Sequence, residues 1–188
     1  VGNGITVNGT LASDGVPATR SVLRSASDAS VEWQLTLNGT SSLGNKVVVK
    51  YSDASPNLAV AAAGSVDSGN NTNWTGLVTP PTITSIQSTT AAGAYREGED
   101  VNVTVNFSES LTLVGGTLDV TLNTGASVSI NPFTGASASA TYTIGAGENT
   151  TALVATNIAL SAGTLQNAAE VDALLSLPGT NINSDMTI

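Results

Sequence analysis

The chain has 188 residues, 40% of them hydrophobic, and a formal net charge of −9. Its five lysines and arginines are too few for the basic face that nucleic acid or an anionic membrane surface requires, so neither is expected as a partner. Without cysteine there are no disulfides or thiolate sites, and without histidine the usual general base and the commonest transition-metal ligand are missing. Hard oxygen ligands remain, which suit calcium or magnesium.

The first part of the chain predicts short strands separated by turns. In the stretch SVEWQLTLN, Val31, Trp33, Leu35 and Leu37 alternate with polar residues, which is the two-residue period of a half-buried strand. The segment 57–66 fits a strand or a short helix, and its composition does not decide between them. The strands predicted in this part are 4–11, 18–25, 30–38 and 45–52.

A domain boundary is predicted at the stretch GLVTPPTITSI. Pro80 and Pro81 stiffen the backbone there and push the residue before them towards an extended conformation. A polar segment rich in glycine and asparagine, 66–76, comes just before. We therefore expect one domain at residues 1–79 and a second at residues 80–188.

The second part continues in the same style. Val101, Val103, Val105 and Phe107 share one face of a predicted strand whose other face is polar. Residues 166–177 give the only plausible helix, and the alternating tail predicts a last strand near the C-terminus. The other strands predicted here are 82–88, 99–109, 116–123, 126–130, 139–145 and 150–160.

Many short strands, regular turns and almost no helix predict an all-β chain. The expected architecture is two tandem antiparallel β-sandwich domains with at most one short helix.

A resemblance to a known family covers about residues 80–188. The stretch GAYREGEDVNVTVNFSE, followed by GTLDVTLNTG, resembles the Ig-like repeats of large bacterial cell-surface and adhesin proteins. The matching residues are Gly93, Tyr95, Gly98, Val101, Val103, Val105, Phe107, Ser108, Glu109, Gly116, Leu118, Val120, Leu122 and Gly125. The resemblance implies an Ig-like sandwich and an extracellular location on the cell surface.

A cluster of acidic residues surrounds the strand that begins near residue 100. Glu97, Glu99, Asp100 and Glu109 are hard ligands that could bind calcium, although their spacing is not that of an EF-hand loop. The alternative is a solvated turn in which Arg96 pairs with a neighbouring carboxylate.

A second, weaker metal candidate lies in the stretch DSGNN. Asp67 and Asn70 offer oxygen ligands beside Trp74, which is either a plug at the domain junction or exposed for stacking on a ligand. The alternative is a plain loop between domains. Trp33 is predicted to lie in the core.

Glycans are possible partners because seven N-x-S/T sequons occur in the chain. The candidate sites are Asn8, Asn38, Asn70, Asn73, Asn102, Asn106 and Asn149.

The first strand suggests assembly. Ile5, Val7 and Leu11 alternate onto one side, and nothing before them could form a hairpin partner, so the segment must pair with a distant strand or with another molecule. The latter would give strand exchange between copies of the chain.

The function expected from the sequence is that of an extracellular structural protein. Such a protein would be a self-associating subunit of a surface layer or fibre, with copies of itself or neighbouring repeats as partners. The alternative is an adhesin or a module of a longer surface protein that binds glycan or protein. No enzymatic activity is expected, because histidine and cysteine are absent and paired acids lack an aromatic setting.

Overall fold

The computed structural model describes residues 4–13, 21–24, 32–43, 47–55, 60–62, 64–182 and 185–188, and all regular structure in these ranges is β. The chain divides into two compact units, Val1–Pro80 and Pro81–Ile188. None of the described residues forms a helix that could cross a membrane. The strands are β1 Gly4–Val7, β2 Leu11–Ala12, β3 Ser21–Leu23, β4 Trp33–Leu37, β5 Ser41–Ser42, β6 Val47–Val49, β7 Ser52–Asp53, β8 Val60–Ala61, β9 Val66–Asp67, β10 Trp74–Thr75, β11 Ile83–Gln87, β12 Gly93–Ala94, β13 Asp100–Val114, β14 Leu118–Leu122, β15 Ser127–Ile130, β16 Thr134–Thr143, β17 Ala155–Leu160, β18 Thr164–Gln166, β19 Thr180–Asn181 and β20 Met186–Thr187.

The first unit is a stack of coils, in which the chain returns to the same ladder in the same direction. One ladder has the order β1-β4-β7 and continues through a parallel bridge from Asp53 to Thr72. A second ladder has the order β3-β6-β9 and continues through a parallel bridge from Val66 to Val78. The remaining pairs, β2 with β5 and β8 with β10, are also parallel. These pairings define a parallel β-solenoid.

The prediction of an antiparallel sandwich for residues 1–79 is therefore wrong. Every strand pair among the described residues of this unit is parallel. Gly4 pairs with Gln34, an offset of 30 residues (34 − 4), and Trp33 pairs with Ser52, an offset of 19 (52 − 33). Such offsets leave room for a whole coil between paired strands, whereas neighbouring antiparallel strands need only a hairpin turn.

The core of the first unit lies inside the coils. The predicted burial of Trp33 and Leu35 is confirmed, whereas Val31 lies outside the described residues. The undecided segment 57–66 contains β8 and the start of β9. The core residues are Trp33, Leu35, Leu43, Val47, Val49, Ala54, Val60 and Ala62.

The second unit is mainly antiparallel and contains two larger sheets. One has the order β16-β13-β11-β19, with β18 also paired to β13, and the other has the order β15-β14-β17. Their pairings are antiparallel except for β11 with β19. A small parallel pair of β12 with β20 brings the C-terminal segment beside residues 93–94.

The two larger sheets of the second unit share one apolar core. The long strand β13 buries Val101, Val103, Val105 and Phe107 and turns the intervening polar residues outward, as the sequence predicts. The three-stranded sheet supplies residues such as Leu118, Val120, Leu122, Val128, Ile130 and Ile158 to the same core. Phe107 also stacks on Phe133, with ring centroids 5.6 Å apart.

The predicted helix at residues 166–177 is wrong. Strand β18 ends at Gln166, and the side chain of Asn167 then accepts hydrogen bonds from the backbone N–H groups of Ala169 and Val171 at 3.0 Å each. Glu170 takes the left-handed conformation, with φ of 58°. The asparagine thus closes a tight turn instead of starting a helix, and the chain leaves it extended, so that the N–H of Leu174 bonds to the carbonyl of Pro81.

Candidate functional site

The most ordered arrangement of polar side chains lies where the first two coils turn the same corner. Both corners read Asn-Gly-Thr, at 8–10 and at 38–40. Asn38 Nδ2 donates to Asn8 Oδ1 at 2.8 Å, and the hydroxyl oxygens of Thr10 and Thr40 lie 3.2 Å apart. We call these residues, 8–10 with 38–40, the Asn-Gly-Thr corner. Like side chains of successive coils bond to one another there, which holds the coils in register.

Glycine is required at position 39 of the corner. A Cβ on Gly39 would lie 2.0 Å from the carbonyl oxygen of Gly9, so a side chain cannot be accommodated unless the backbone of one coil moves. At Gly9 a Cβ would meet no atom within 4 Å among the described residues. The two glycines therefore have the same sequence context but different surroundings, because only the Cβ position of Gly39 faces another coil among the described residues.

The sequence carried a signal for this stack that strand-by-strand reasoning missed. Residues 5–10 read Ile-Thr-Val-Asn-Gly-Thr and residues 35–40 read Leu-Thr-Leu-Asn-Gly-Thr. The repeat spacing equals the offset of 30 between Ile5 and Leu35, which pair in the β1–β4 ladder. Self-similarity at a fixed period is typical of repeat architectures.

The DSGNN stretch forms another corner of the stack. Asp67 Oδ1 accepts hydrogen bonds from the N–H of Gly69 at 2.8 Å and from Asn71 Nδ2 at 2.7 Å. Asn71 also donates to the carbonyl of Val49 at 2.8 Å and accepts from the N–H of Ser52 at 3.0 Å. The carboxylate therefore bonds within its own corner, and the amide of Asn71 satisfies backbone groups of the neighbouring coil.

The two weaker metal candidates, Asp67 and Asn70, lie in different environments. Asn70 is exposed and takes the left-handed conformation, with φ of 55°, whereas Asp67 is half-buried in the corner. Trp74 is half-buried against the first core, and its Nε1 donates to Ser52 Oγ at 3.0 Å.

The acidic residues near β13 occupy separate places. Glu99 Oε2 accepts from the N–H of Arg96 at 2.8 Å and lies 4.0 Å from its Nε, within the exposed turn that Gly98 makes with φ of 83°. Asp100 accepts from Thr143 Oγ1 at 2.6 Å on the neighbouring strand. Glu109 accepts from Asn167 Nδ2 at 3.3 Å. Each of the three carboxylates is engaged in local hydrogen bonding.

Distance prevents these carboxylates from forming one metal site. Asp100 and Glu109 lie in the same strand, and a strand rises by about 3.3 Å per residue, so their backbones are roughly 30 Å apart. Glu97 lies in the turn at the Asp100 end. Among the described residues no three acidic side chains come together as a metal site would require. Calcium binding by the chain stays a prediction.

A partly buried polar cluster that sequence reasoning missed joins β16 to the turn after it. Tyr142 is buried, and its hydroxyl donates to Glu148 Oε2 at 2.5 Å, with Thr124 Oγ1 3.1 Å away. The same carboxylate oxygen accepts from the N–H of Gly145 at 2.7 Å. Burial, together with the hydrogen bond to the Glu148 carboxylate and the negative charge of that group, raises the pKa of Tyr142 from 10.0 to about 12. The cluster fastens the turn to the core.

The sequons differ in how their amide nitrogens are used. The Nδ2 atoms of Asn38, Asn73, Asn106 and Asn149 donate hydrogen bonds, to Asn8, Ala54, Ser85 and Gly147 respectively. Asn8 and Asn70 are exposed, whereas Asn102 is half-buried and its Oδ1 accepts from Thr104 Oγ1. Since a glycan attaches at Nδ2, Asn70 is the position where it would disturb the structure least, because Asn8 takes part in the Asn-Gly-Thr corner. Use of any sequon stays a prediction.

The predicted assembly strand pairs within its own unit. Ile5 and Val7 lie in β1, which pairs in parallel with β4, and Leu11 begins β2, which pairs with β5. Of the two alternatives that the sequence left open, the structure thus shows pairing with a distant strand of the same chain. Donation of residues 4–11 to another molecule would have to break these ladders. Self-association by another route stays a prediction that the oligomeric state with and without EDTA would test.

Comparison of the chain with protein-family models, with curated proteins and with solved structures finds no match.

The Asn-Gly-Thr corner gives a matched pair of substitutions. We expect Gly39→Ala to lower the free energy of unfolding of the first unit by at least about 2 kcal/mol, because its Cβ would overlap the backbone of Gly9. Gly9→Ala, in the same sequence context, should change it by less than about 0.5 kcal/mol. Urea denaturation followed by tryptophan fluorescence measures this unit alone, since both tryptophans, Trp33 and Trp74, lie in it. Equal effects of the two substitutions would contradict the stacking contact.

The DSGNN corner is tested at Asn71. Asn71→Ala removes bonds to Val49, Ser52 and Asp67, so we expect a loss of about 2–3 kcal/mol in the same tryptophan-monitored experiment. Asn70→Gly is the control, because that exposed residue already has a left-handed backbone that glycine adopts without strain. A loss of stability at Asn70→Gly but not at Asn71→Ala would show that the corner is held in another way.

The buried tyrosine makes the second unit sensitive to alkali. The folded chain keeps the Tyr142 proton up to a pKa of about 12, whereas the unfolded chain loses it near 10, so the stabilisation is fully present below pH 10 and falls as pH rises towards 12. We expect stability measured by circular dichroism to drop by up to about 2 kcal/mol across this range. Tyr142→Phe should remove this drop, and Tyr95→Phe should retain it. The same alkaline drop in Tyr142→Phe would assign it to other groups.

Proposed function

We propose that this chain is a non-catalytic structural segment of a protein of the cell exterior. The observation that carries the proposal is the Asn-Gly-Thr corner, where identical residues of successive coils bond to one another. A stack of this kind is held together mainly by contacts between neighbouring coils. Adding coils therefore lengthens it while each contact between coils stays of the same type. That property suits a spacer or scaffold.

The outer surfaces described above also support this role. The strands that turn polar residues outward do so with serine, threonine and asparagine, as on β13, where Asn102, Thr104 and Asn106 form the outer row. A surface of uncharged hydroxyls and amides is compatible with an extracellular setting, and the exposed asparagines of the sequons are compatible with attached sugars.

For the second unit we propose an Ig-like sandwich. The antiparallel pairings of its two larger sheets and their shared core support this architecture, and the motif that begins at Gly93 resembles the Ig-like repeats of bacterial surface proteins. Within that motif, Ser108 makes a structural contact of its own: its backbone N–H bonds to the carbonyl of Thr82, and its Oγ accepts from the N–H of Thr82 at 3.0 Å. Ser108 thus fastens β13 to the start of the unit.

Surface labelling tests the proposed location and role. Antibodies raised against the purified chain should label intact cells of the source organism, and brief protease treatment of those cells should remove the label. An antibody against a protein of the cell interior, which should label only permeabilised cells, is the control. Labelling by the chain-specific antibodies only after permeabilisation would refute the proposal.

A further inference from the structure

The first coil of the first unit has an open side. Its strands β1, β2 and β3 each pair with one strand of the second coil, namely β4, β5 and β6. Among the described residues no strand pairs with the other edge of any of the three. An unpaired parallel edge presents a row of backbone donors and acceptors that another strand can use.

The inward row of side chains continues onto this open side. Ile5 is in register with Leu35, and paired residues of in-register parallel strands point to the same face. Leu35 is 1% exposed, whereas Ile5 is 55% exposed. Ile5 therefore holds a core position of the stack that lacks a neighbour on one side.

The open space around Gly9 indicates which kind of coil would be the neighbour. On Gly39, a Cβ would point at the carbonyl of Gly9, in the coil before it; on Gly9, the same position opens into space. Neither glycine has a left-handed backbone. The described residues therefore give no steric reason for glycine at position 9, and such a reason would arise once another coil stacked there with the same corner.

The hydrogen bonds of the corner can also continue in that direction. Asn8 uses its Oδ1 to accept from Asn38, and its Nδ2 makes no hydrogen bond among the described residues. An asparagine of a further coil could accept from it just as Asn8 accepts from Asn38. Thr10, exposed at the same corner, offers its hydroxyl in the same way.

We propose that the open side of the first coil is an acceptor surface for one further β-coil with the pattern apolar-Thr-apolar-Asn-Gly-Thr, laid parallel and in register with residues 5–10.

A second copy of this chain does not fit this geometry. If two copies met at their open sides with their cores in line, the β1 strands would run antiparallel, and the corners would not coincide. The inference deepens the proposed structural function and rests on it for its biological meaning, but its test uses only the folding of the purified chain.

The test adds a further coil to the open side of the first coil in the full chain. A copy of residues 4–33 is placed directly before Gly4, in place of residues 1–3, so that it reproduces the 30-residue offset between β1 and β4. The copy carries Trp33→Phe, so that fluorescence still reports on the original Trp33 and Trp74. We expect the unfolding equilibrium constant of the first unit to fall at least about tenfold, with a larger dependence on urea, because more surface is buried on folding.

Gly9→Ala supplies the decisive control. In the original chain it should leave the unfolding constant within about twofold, since its Cβ meets open space. In the extended chain the same substitution in the original coil should abolish the gain, because its Cβ would then overlap the added corner. An extended chain that is no more stable than the original, or one whose gain survives Gly9→Ala, would overturn the proposal. So would an unmodified chain that dimerises in gel filtration with amide protection at Thr6, since Val7 already bonds to the second coil and the N–H of Thr6 faces the open edge, so that the occupant would then be a second copy.

Discussion

Backbone hydrogen bonding between coils is the constraint on which the first unit depends. Its strands are only two to five residues long, and no such strand is stable alone. Each becomes stable because the chain comes back alongside it in the same direction and supplies the missing partners. Where the chain bends between ladders, side chains complete the bonding: Ser65 Oγ accepts from the buried N–H of Val47 at 3.3 Å, and the amide of Asn71 bridges the coils at Val49 and Ser52. The corners therefore need small side chains, which explains the glycine, serine and asparagine of this half.

The sequence predicted strands and buried faces well, but it did not predict the parallel direction of pairing in the first unit. Alternation along Val101 to Phe107 and along Trp33 to Leu37 predicts which face is buried, because that property belongs to a single strand. Parallel and antiparallel strands have the same alternation, so this signal could not distinguish a stack of coils from a sandwich. The information lay in the repeat between residues 5–10 and 35–40, which concerns two strands at once. The helix predicted after Gln166 is wrong for a related reason. The side chain of Asn167 accepts a local hydrogen bond from Ala169, and this turn outweighs the helical periodicity of the sequence.

The ends of the acidic cluster around β13 are close in sequence but far apart in the structure. Carboxylates nine residues apart, such as Asp100 and Glu109, can meet across a hairpin, but within one continuous strand they lie far apart. Here β13 continues through residues 100–114, so the two ends of the acidic cluster bond to different neighbours, Thr143 at one end and Asn167 at the other. In the Tyr142–Glu148 cluster, by contrast, residues that are close in sequence do meet, although the sequence did not predict their contact. Its partners are only six residues apart, but neither is unusual in sequence, and the burial that raises the pKa of the tyrosine comes from the sheet packing around it.

Variation in coil length shows how the stack keeps its order. The offset along the ladder that starts with β1 falls from 30 to 19 residues between the first and the second coil, yet the strands stay in register. The longer first coil includes residues 14–20 and 25–31, which lie outside the described residues. Length can thus change between ladders at little cost to the pairing, because loop closure depends only weakly on loop size. The corner cannot change in the same way, because Gly39 touches the coil before it. The two Asn-Gly-Thr corners lie 30 residues apart, as do the strands that precede them, and this match places the specificity of stacking between the first two coils at that corner.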